Sequence, residues 1–254
     1  RKGVNLTMLW EEYCAKCQSE GNVPYMYTQY CEKYRQWARV TKATMRIQHK
    51  PGDTMEVDWA GATLDIHDPV TGEVSKAYLF VAVLPCSCFT YAEACDDMKL
   101  ENWINCHVHA YNYFGGVTRL LVPDNLKTGI AKNTRSETIL NRTYQEMSEY
   151  YNTAIVPARV RHPRDKSHAE GGVKFASTWI LAALRDRKFF HLEEARAAVE
   201  EKLEELNDRS FRKRPGSRRE AYLAEEKEFM RPVPGEPYEP AIWSPDLKVG
   251  NDYL

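Results

Sequence analysis

The chain has 254 residues, 35 Lys+Arg against 36 Asp+Glu, and 43% hydrophobic residues. This composition suits a globular protein with a sizeable core and excludes a disordered one. A net charge of -1 excludes a protein that holds nucleic acid by overall basicity, and the longest mostly apolar stretch, Ala77 to Cys86, is far short of the roughly 20 residues a membrane span needs.

The near-neutral total hides blocks of opposite sign. Residues 1–50 carry +5, 51–190 carry -2, 191–208 carry -5, 209–219 carry +6 and 220–254 carry -5. The basic blocks bracket the central region, where a polyanion would run with salt-sensitive affinity. Seven cysteines, an odd number scattered through apolar and helical stretches, predict a reduced, cytoplasmic protein. Cys14 and Cys17 form a C-x-x-C and His162 and His168 an H-x5-H, but the pairs lie about 145 residues apart, so buried thiols are the simpler reading than zinc. The chain begins Arg1-Lys2-Gly3 without Met and without a signal-peptide pattern, so it reads as a fragment.

Residues 1–50 read as a helical module. Leu6, Leu9, Trp10 and Tyr13 repeat at helix spacing, Gly21-Asn22 and Pro24 break the run, and Tyr27, Tyr30, Cys31, Tyr34 and Trp37 form a second stripe. This predicts a helical hairpin or a helix-turn-helix, with a turn longer than the usual one. After Pro51-Gly52, strands are expected at 54–59, 62–67 and 76–84, with an extended piece at 89–94. Alternation follows: helix 100–114 stopped by Gly115-Gly116, strand 119–123, helix 136–151, strand 154–160 and a long helix from 163 to about 187. The order predicts an α/β fold, a mixed sheet antiparallel at one edge and parallel elsewhere, with helices on its faces. Leu192, Ala195, Val199, Leu203 and Leu206 mark a further amphipathic helix with an acidic outer face; Arg209 to Arg219 then holds six Lys/Arg and no acid. Five prolines between 232 and 245 predict an extended tail.

Three carboxylates stand where such a sheet places ligands. Asp58 lies near the end of the first strand, Asp124 just past the fourth main strand, and Glu170 in the first turns of the long helix. Three carboxylates in one cleft need a cation, and hard oxygen donors select Mg²⁺ or Mn²⁺. Two such ions suit in-line attack on a phosphodiester. Lys166 and Lys174 flank Glu170 on one helix face, Arg159, Arg161 and Arg164 lead into it, and Lys127 follows Asp124; these cations would hold phosphates. Glu56, two residues before Asp58 on the same strand face, is a possible substitute ligand; Asp53, Asp65 and Asp97 are weaker ones.

The strings Pro51-Gly52-Asp53-Thr54-Met55-Glu56-Val57-Asp58-Trp59, Val122-Pro123-Asp124-Asn125 after Phe114-Gly115-Gly116, and His162-Pro163-Arg164-Asp165-Lys166-Ser167-His168-Ala169-Glu170 resemble, in order, the three motifs of DDE transposases and retroviral-type integrases. They are separated by 65 and 45 residues, and their combination looks most like IstA-type transposases. The resemblance implies an RNase H-like five-stranded core over 51–190 and two divalent ions held by Asp58, Asp124 and Glu170. It implies 3′-end cleavage of an insertion sequence, then strand transfer into target DNA. It also implies a homo-oligomer, an IstB-type AAA+ helper ATPase, a DNA-binding module at 1–50, and a tail at 231–254 leading to a C-terminal barrel. Residues 191–230 are expected as a helical extension with a basic linker; its acidic helix and basic run at 191–219 would make contacts within the assembly or be a solvated helix and linker, and Arg212, Lys213 and Arg214 are expected to contact DNA. A nuclease that only hydrolyses and an inactive DNA-bridging protein are the alternatives.

Overall fold

Asn5 starts the first helix by accepting the Met8 backbone N–H on its side chain at 2.8 Å. In this computed structural model the described residues are 5–41, 49–123, 130–133, 138–156, 166–212 and 214–240. They fall into two compact units, Arg1–Ile47 and Gln48–Leu254.

The first unit is a pair of helices, α1 (Leu6–Ser19) and α2 (Tyr27–Thr41). Gly21, at φ +73°, makes the turn out of α1. The predicted stripes meet as a file of rings: Tyr25, Tyr13, Tyr30, Tyr34 and Trp37 follow one another at centroid separations of 5.1–6.3 Å. The Trp10 indole N–H donates to the Tyr25 carbonyl at 2.9 Å, tying α1 to the connection.

The second unit is built on a five-stranded sheet. Its strands are β1 (Thr54–His67), β2 (Val74–Leu84), β3 (Phe89–Cys95), β4 (Leu120–Pro123) and β7 (Ala154–Ile155), in the order β3-β2-β1-β4-β7. The β3-β2-β1 half is antiparallel and the β1-β4-β7 half parallel, as the element order predicts. A separate hairpin joins β5 (Ile130–Asn133) to β6 (Thr138–Leu140). It occupies residues expected to begin the helix, and α4 spans only Arg142–Tyr150, capped by Asn141. The two strands expected at 54–59 and 62–67 are one. Pairing with β2 slips between Trp59 and Thr63, so Gly61 sits in a bulge inside β1, not in a turn.

The sheet is covered on both faces, which explains the unbroken apolar run of β2. Phe80, Ala82 and Leu84 pack with Met55 and Val57 against α3 (Leu100–Phe114) and α4. Leu79, Val81 and Val83 pack with Leu64 against α5 (Lys166–Leu184) and α6 (Leu192–Asp208). Helix α6 also closes the sheet's outer edge. The fully buried Asn207 side chain accepts from the Thr90 N–H at 3.1 Å and donates to the Thr90 carbonyl at 2.8 Å. Arg196 donates to the Ala94 carbonyl at 3.0 Å. Both outward backbone groups of Thr90 and the Ala94 carbonyl are thereby satisfied.

Residues 217–238 wrap back over the core. A Ser217–Glu220 capping box opens α7 (Arg218–Ala221). The chain then passes Gly52 and Gly116 so closely that a Cβ would lie 2.5 Å from the Phe229 carbonyl oxygen or 2.4 Å from the Met230 Cβ. Arg231 bridges to Val117, and Tyr238 donates its N–H to the Tyr151 hydroxyl at 3.2 Å. The anchor of this wrap is Glu226, only 1% exposed, whose carboxylate accepts the Gly52 N–H at 3.2 Å and the Ser87 N–H at 3.0 Å. Burial pushes its carboxyl up from the ordinary value, opposed by these bonds.

Two predictions follow from these buried groups. Glu226→Ala leaves both N–H groups without their acceptor and should cost about 2–4 kcal/mol in urea unfolding. His107, wholly buried in α3, has Nδ1 2.6 Å from the Trp103 carbonyl oxygen and Nε2 3.3 Å from the Tyr144 hydroxyl. Burial pulls its pKa down to about 4. The unfolded chain therefore binds this proton first, and stability is lost as pH falls from the ordinary histidine range, about 6.5, towards about 4. The loss attributable to His107 is about 3 kcal/mol. It is read as the difference in pH dependence between the protein and His107→Phe.

Candidate active site

Side-chain alternation along β1 decides which layer each residue meets. Val57 and Trp59 pack on the α3 side, so Glu56 and Asp58 face the layer that holds α5. Asp58 is half-buried, and its Oδ1 accepts the Trp59 backbone N–H at 2.9 Å, which fixes the carboxylate against its own strand. Glu56 is 7% exposed on the same face.

The parallel ladder between β1 and β4 runs from Thr54–Leu120 to Val57–Pro123, one residue short of both Asp58 and Asp124. Its register is pinned at the start. Leu120 donates its N–H to the Asp53 carbonyl at 2.8 Å, and Arg119 donates to the Asp53 side chain at 2.8 Å. Asp124 itself lies outside the described residues.

Helix α5 approaches this stretch through a glycine. A Cβ on Gly172 would lie 3.3 Å from Cγ1 of Val83, and Val83 is the β2 partner of Glu56. Glu170 belongs to α5, two residues earlier; its side chain is not among those described. Helix α5 thus passes, at Gly172, over the β2 residue that pairs with Glu56. Among the described residues no group of three or more His, Cys, Asp or Glu is arranged to hold a metal.

The predicted cations divide. Lys174 is exposed on α5, Lys166 is placed in that helix by its backbone alone, and Lys127, Arg159, Arg161, Arg164 and Lys213 lie outside the described residues. Arg212 is exposed in the connection after α6. Arg214 is engaged within the molecule: Nη2 donates to the Ser87 carbonyl at 2.9 Å and the guanidinium lies 3.8 Å from the Phe211 ring centroid. The weaker carboxylates also have structural work. Asp65 pairs with Lys76, Asp97 with Lys99, and Asp53 with Arg119. Sequence reasoning missed the aromatic rings gathered by the basic run, Phe175, Trp179 and Phe211. The one signal was Phe175, an aromatic residue beside Lys174 in a helix read for its charges.

The family described as Integrase core domain matches residues 48–163. A Sinorhizobium fredii protein named as a transposase is 42% identical over 253 residues, covering 100% of this chain and 48% of the relative. A Pseudomonas fluorescens protein named as the transposase of insertion sequence IS1162 is 42% identical over the same share of this chain and 45% of its own. Along its whole length the chain is thus similar to proteins named as transposases, with the integrase-core match at its centre. It spans about half the length of these relatives. In fold it is similar to a chain of the simian T-cell lymphotropic virus intasome, seen by cryo-EM with the PP2A regulatory subunit B56 gamma. The TM-score is 0.52 at 12% identity, over 97% of this chain and 81% of that one. The mixed sheet with helices on both faces is therefore RNase H-like. Among the described residues no helix is long and apolar enough to cross a membrane.

The glycine contact gives a direct test. Gly172→Val puts a branched side chain where only 3.3 Å separates a Cβ from Val83. It should destabilise the protein by about 1–3 kcal/mol by forcing α5 off β2, measured as a lower urea midpoint with unchanged slope.

Proposed function

We propose that this protein is the catalytic part of an insertion-sequence transposase that cleaves the element's 3′ ends and joins them to target DNA. The observation that supports the reading is the passage of α5, at Gly172, over Val83, the β2 partner of Glu56, with the β1–β4 ladder ending at Val57–Pro123, one residue short of Asp58 and Asp124. Asp58, Asp124 and Glu170 are the proposed ligands of two Mg²⁺ or Mn²⁺ ions, since hard oxygen donors suit such ions. When bound, such a pair supplies activation of the attacking oxygen and stabilisation of the leaving one.

The chain's own part is to present and orient. Asp58 is held in one orientation by the Trp59 N–H, so less ordering is needed when its ligand arrives. Glu56, two residues earlier on the same strand face, is a possible substitute ligand. Lys127, Arg159, Arg161, Arg164, Lys166, Lys174, Arg212, Lys213 and Arg214 are the proposed phosphate contacts, which position a strand without reading bases. The helices at 1–50 are the proposed DNA-binding module. The working form is proposed to be a homo-oligomer on DNA in the cytoplasm, served by an IstB-type AAA+ ATPase.

Asp58→Asn, Asp124→Asn and Glu170→Gln should each lower Mg²⁺-dependent joining of a labelled 3′-OH end to plasmid DNA by more than about 10³-fold, with duplex binding kept within about two-fold. Joining retained in any of the three removes that residue from the site. Hydrolysis of the end without joining in the unmodified protein would make it a nuclease, and neither reaction would leave a DNA-bridging protein.

A further inference from the structure

The basic run after α6 folds against α5 and leaves a surface in which arginines and aromatic rings alternate. The Arg218 guanidinium lies 5.3 Å from the ring centroids of both Phe175 and Phe211, and Arg214 lies 3.8 Å from Phe211. Arg209 lies 6.0 Å from the Trp179 ring. Phe175 is 50% exposed, on the solvent side of α5 beside the exposed Lys174. Among the described residues, no ion pair joins Arg209, Arg212, Arg214 or Arg218 to a carboxylate. The nearby acids Asp208 and Glu204 are taken by Arg219, at 2.6 Å for Asp208. Burial and the nearby guanidinium groups of Arg209 and Arg214 pull Arg218 below its ordinary pKa, so like charges are held together there at a cost.

A polyanion would relieve that repulsion, and the exposed ring gives the surface something a phosphate alone does not use. We propose that Phe175, Phe211, Arg209, Arg212, Arg214 and Arg218 form a binding surface for single-stranded nucleic acid, with an unpaired base stacked on Phe175 and flanking phosphates on the arginines. Duplex DNA keeps its base faces stacked internally and offers no ring to Phe175; a single strand offers both faces and backbone. The guanidinium beside Phe175 would reinforce the stack. This rests on the reading of the chain as a DNA-acting protein, but not on where the three carboxylates sit.

The test uses the full chain and fluorescence anisotropy with three probes: labelled oligo-dT, a labelled duplex, and labelled heparin as a polyanion without bases. Phe175→Leu should weaken oligo-dT binding roughly 5- to 100-fold and leave duplex and heparin affinities within about two-fold. Phe175→Tyr should restore oligo-dT binding. Arg209→Gln with Arg212→Gln should weaken all three probes and lower the salt slope for oligo-dT by about 0.7 per charge removed. Equal loss for all probes in Phe175→Leu, or no loss for oligo-dT, overturns the proposal, as does failure of the unmodified chain to bind oligo-dT. Thermal melting of each variant identifies a folding defect, and Phe175→Tyr then decides, because it keeps the packing and the ring. Asp58→Asn should bind oligo-dT normally. Strand transfer retained in the carboxylate variants would refute the catalytic reading and leave the anisotropy result standing.

Discussion

The backbone of β1 hydrogen-bonds to β2 along one edge in antiparallel register and to β4 along the other in parallel register. A strand in that position sits at the topological switch of the sheet, where the neighbouring chain direction reverses and the strand ends open a crevice. Its register is set twice. Asp53 grips both the backbone of Leu120 and the side chain of Arg119, and the bulge between Trp59 and Thr63 takes up the mismatch with β2 further along. Asp58 lies between these two fixed points. A one-residue slip of β1 would turn its carboxylate from the α5 layer into the aromatic layer around Trp103.

The pattern of hydrophobicity carried most of the architecture. The double-sided apolar run at 77–84 and the helical stripe at 192–206 are strong periodic signals, and both elements form where expected. Failures came where local chemistry is ambiguous. Gly61 reads as a turn between two strands, but a glycine also fits a bulge, and only pairing with β2 distinguishes them. The start of the helix expected at 136 depended on propensity, and the Ile130–Leu140 pairing overrides it. The place of Asp58 on the first strand was legible. The close contact of Gly172 with Val83 was not, because it joins residues far apart in the chain. The buried role of Glu226 gave no sequence signal at all: one acid among eight in the last block looks solvated until its two N–H partners are known.

The charge blocks have a mixed function. Arg219 neutralises Asp208 and Glu204 at the end of the acidic helix, and Arg214 holds the turn at Ser87. These arginines hold the fold together before they can meet any ligand. Arg209 and Arg212 are freer in geometry and more exposed. A count of basic residues treats all six alike; hydrogen bonds divide the described arginines among them into those that build a surface and those that present it.

The clamp of Asn207 and Arg196 on β3 sets where this core can be cut. The family match ends at residue 163, and a fragment trimmed near there would keep all five strands of the sheet. It would also bare the backbone of Thr90 and Ala94, the apolar face built by Leu79, Val81 and Val83, and the N–H groups of Gly52 and Ser87. An uncovered edge and an uncovered face together make a template for a second copy of the same strand. Solubility of an excised core is therefore decided by residues beyond the matched region, as far as Glu226, and a boundary drawn from the sequence family alone falls inside the folding unit.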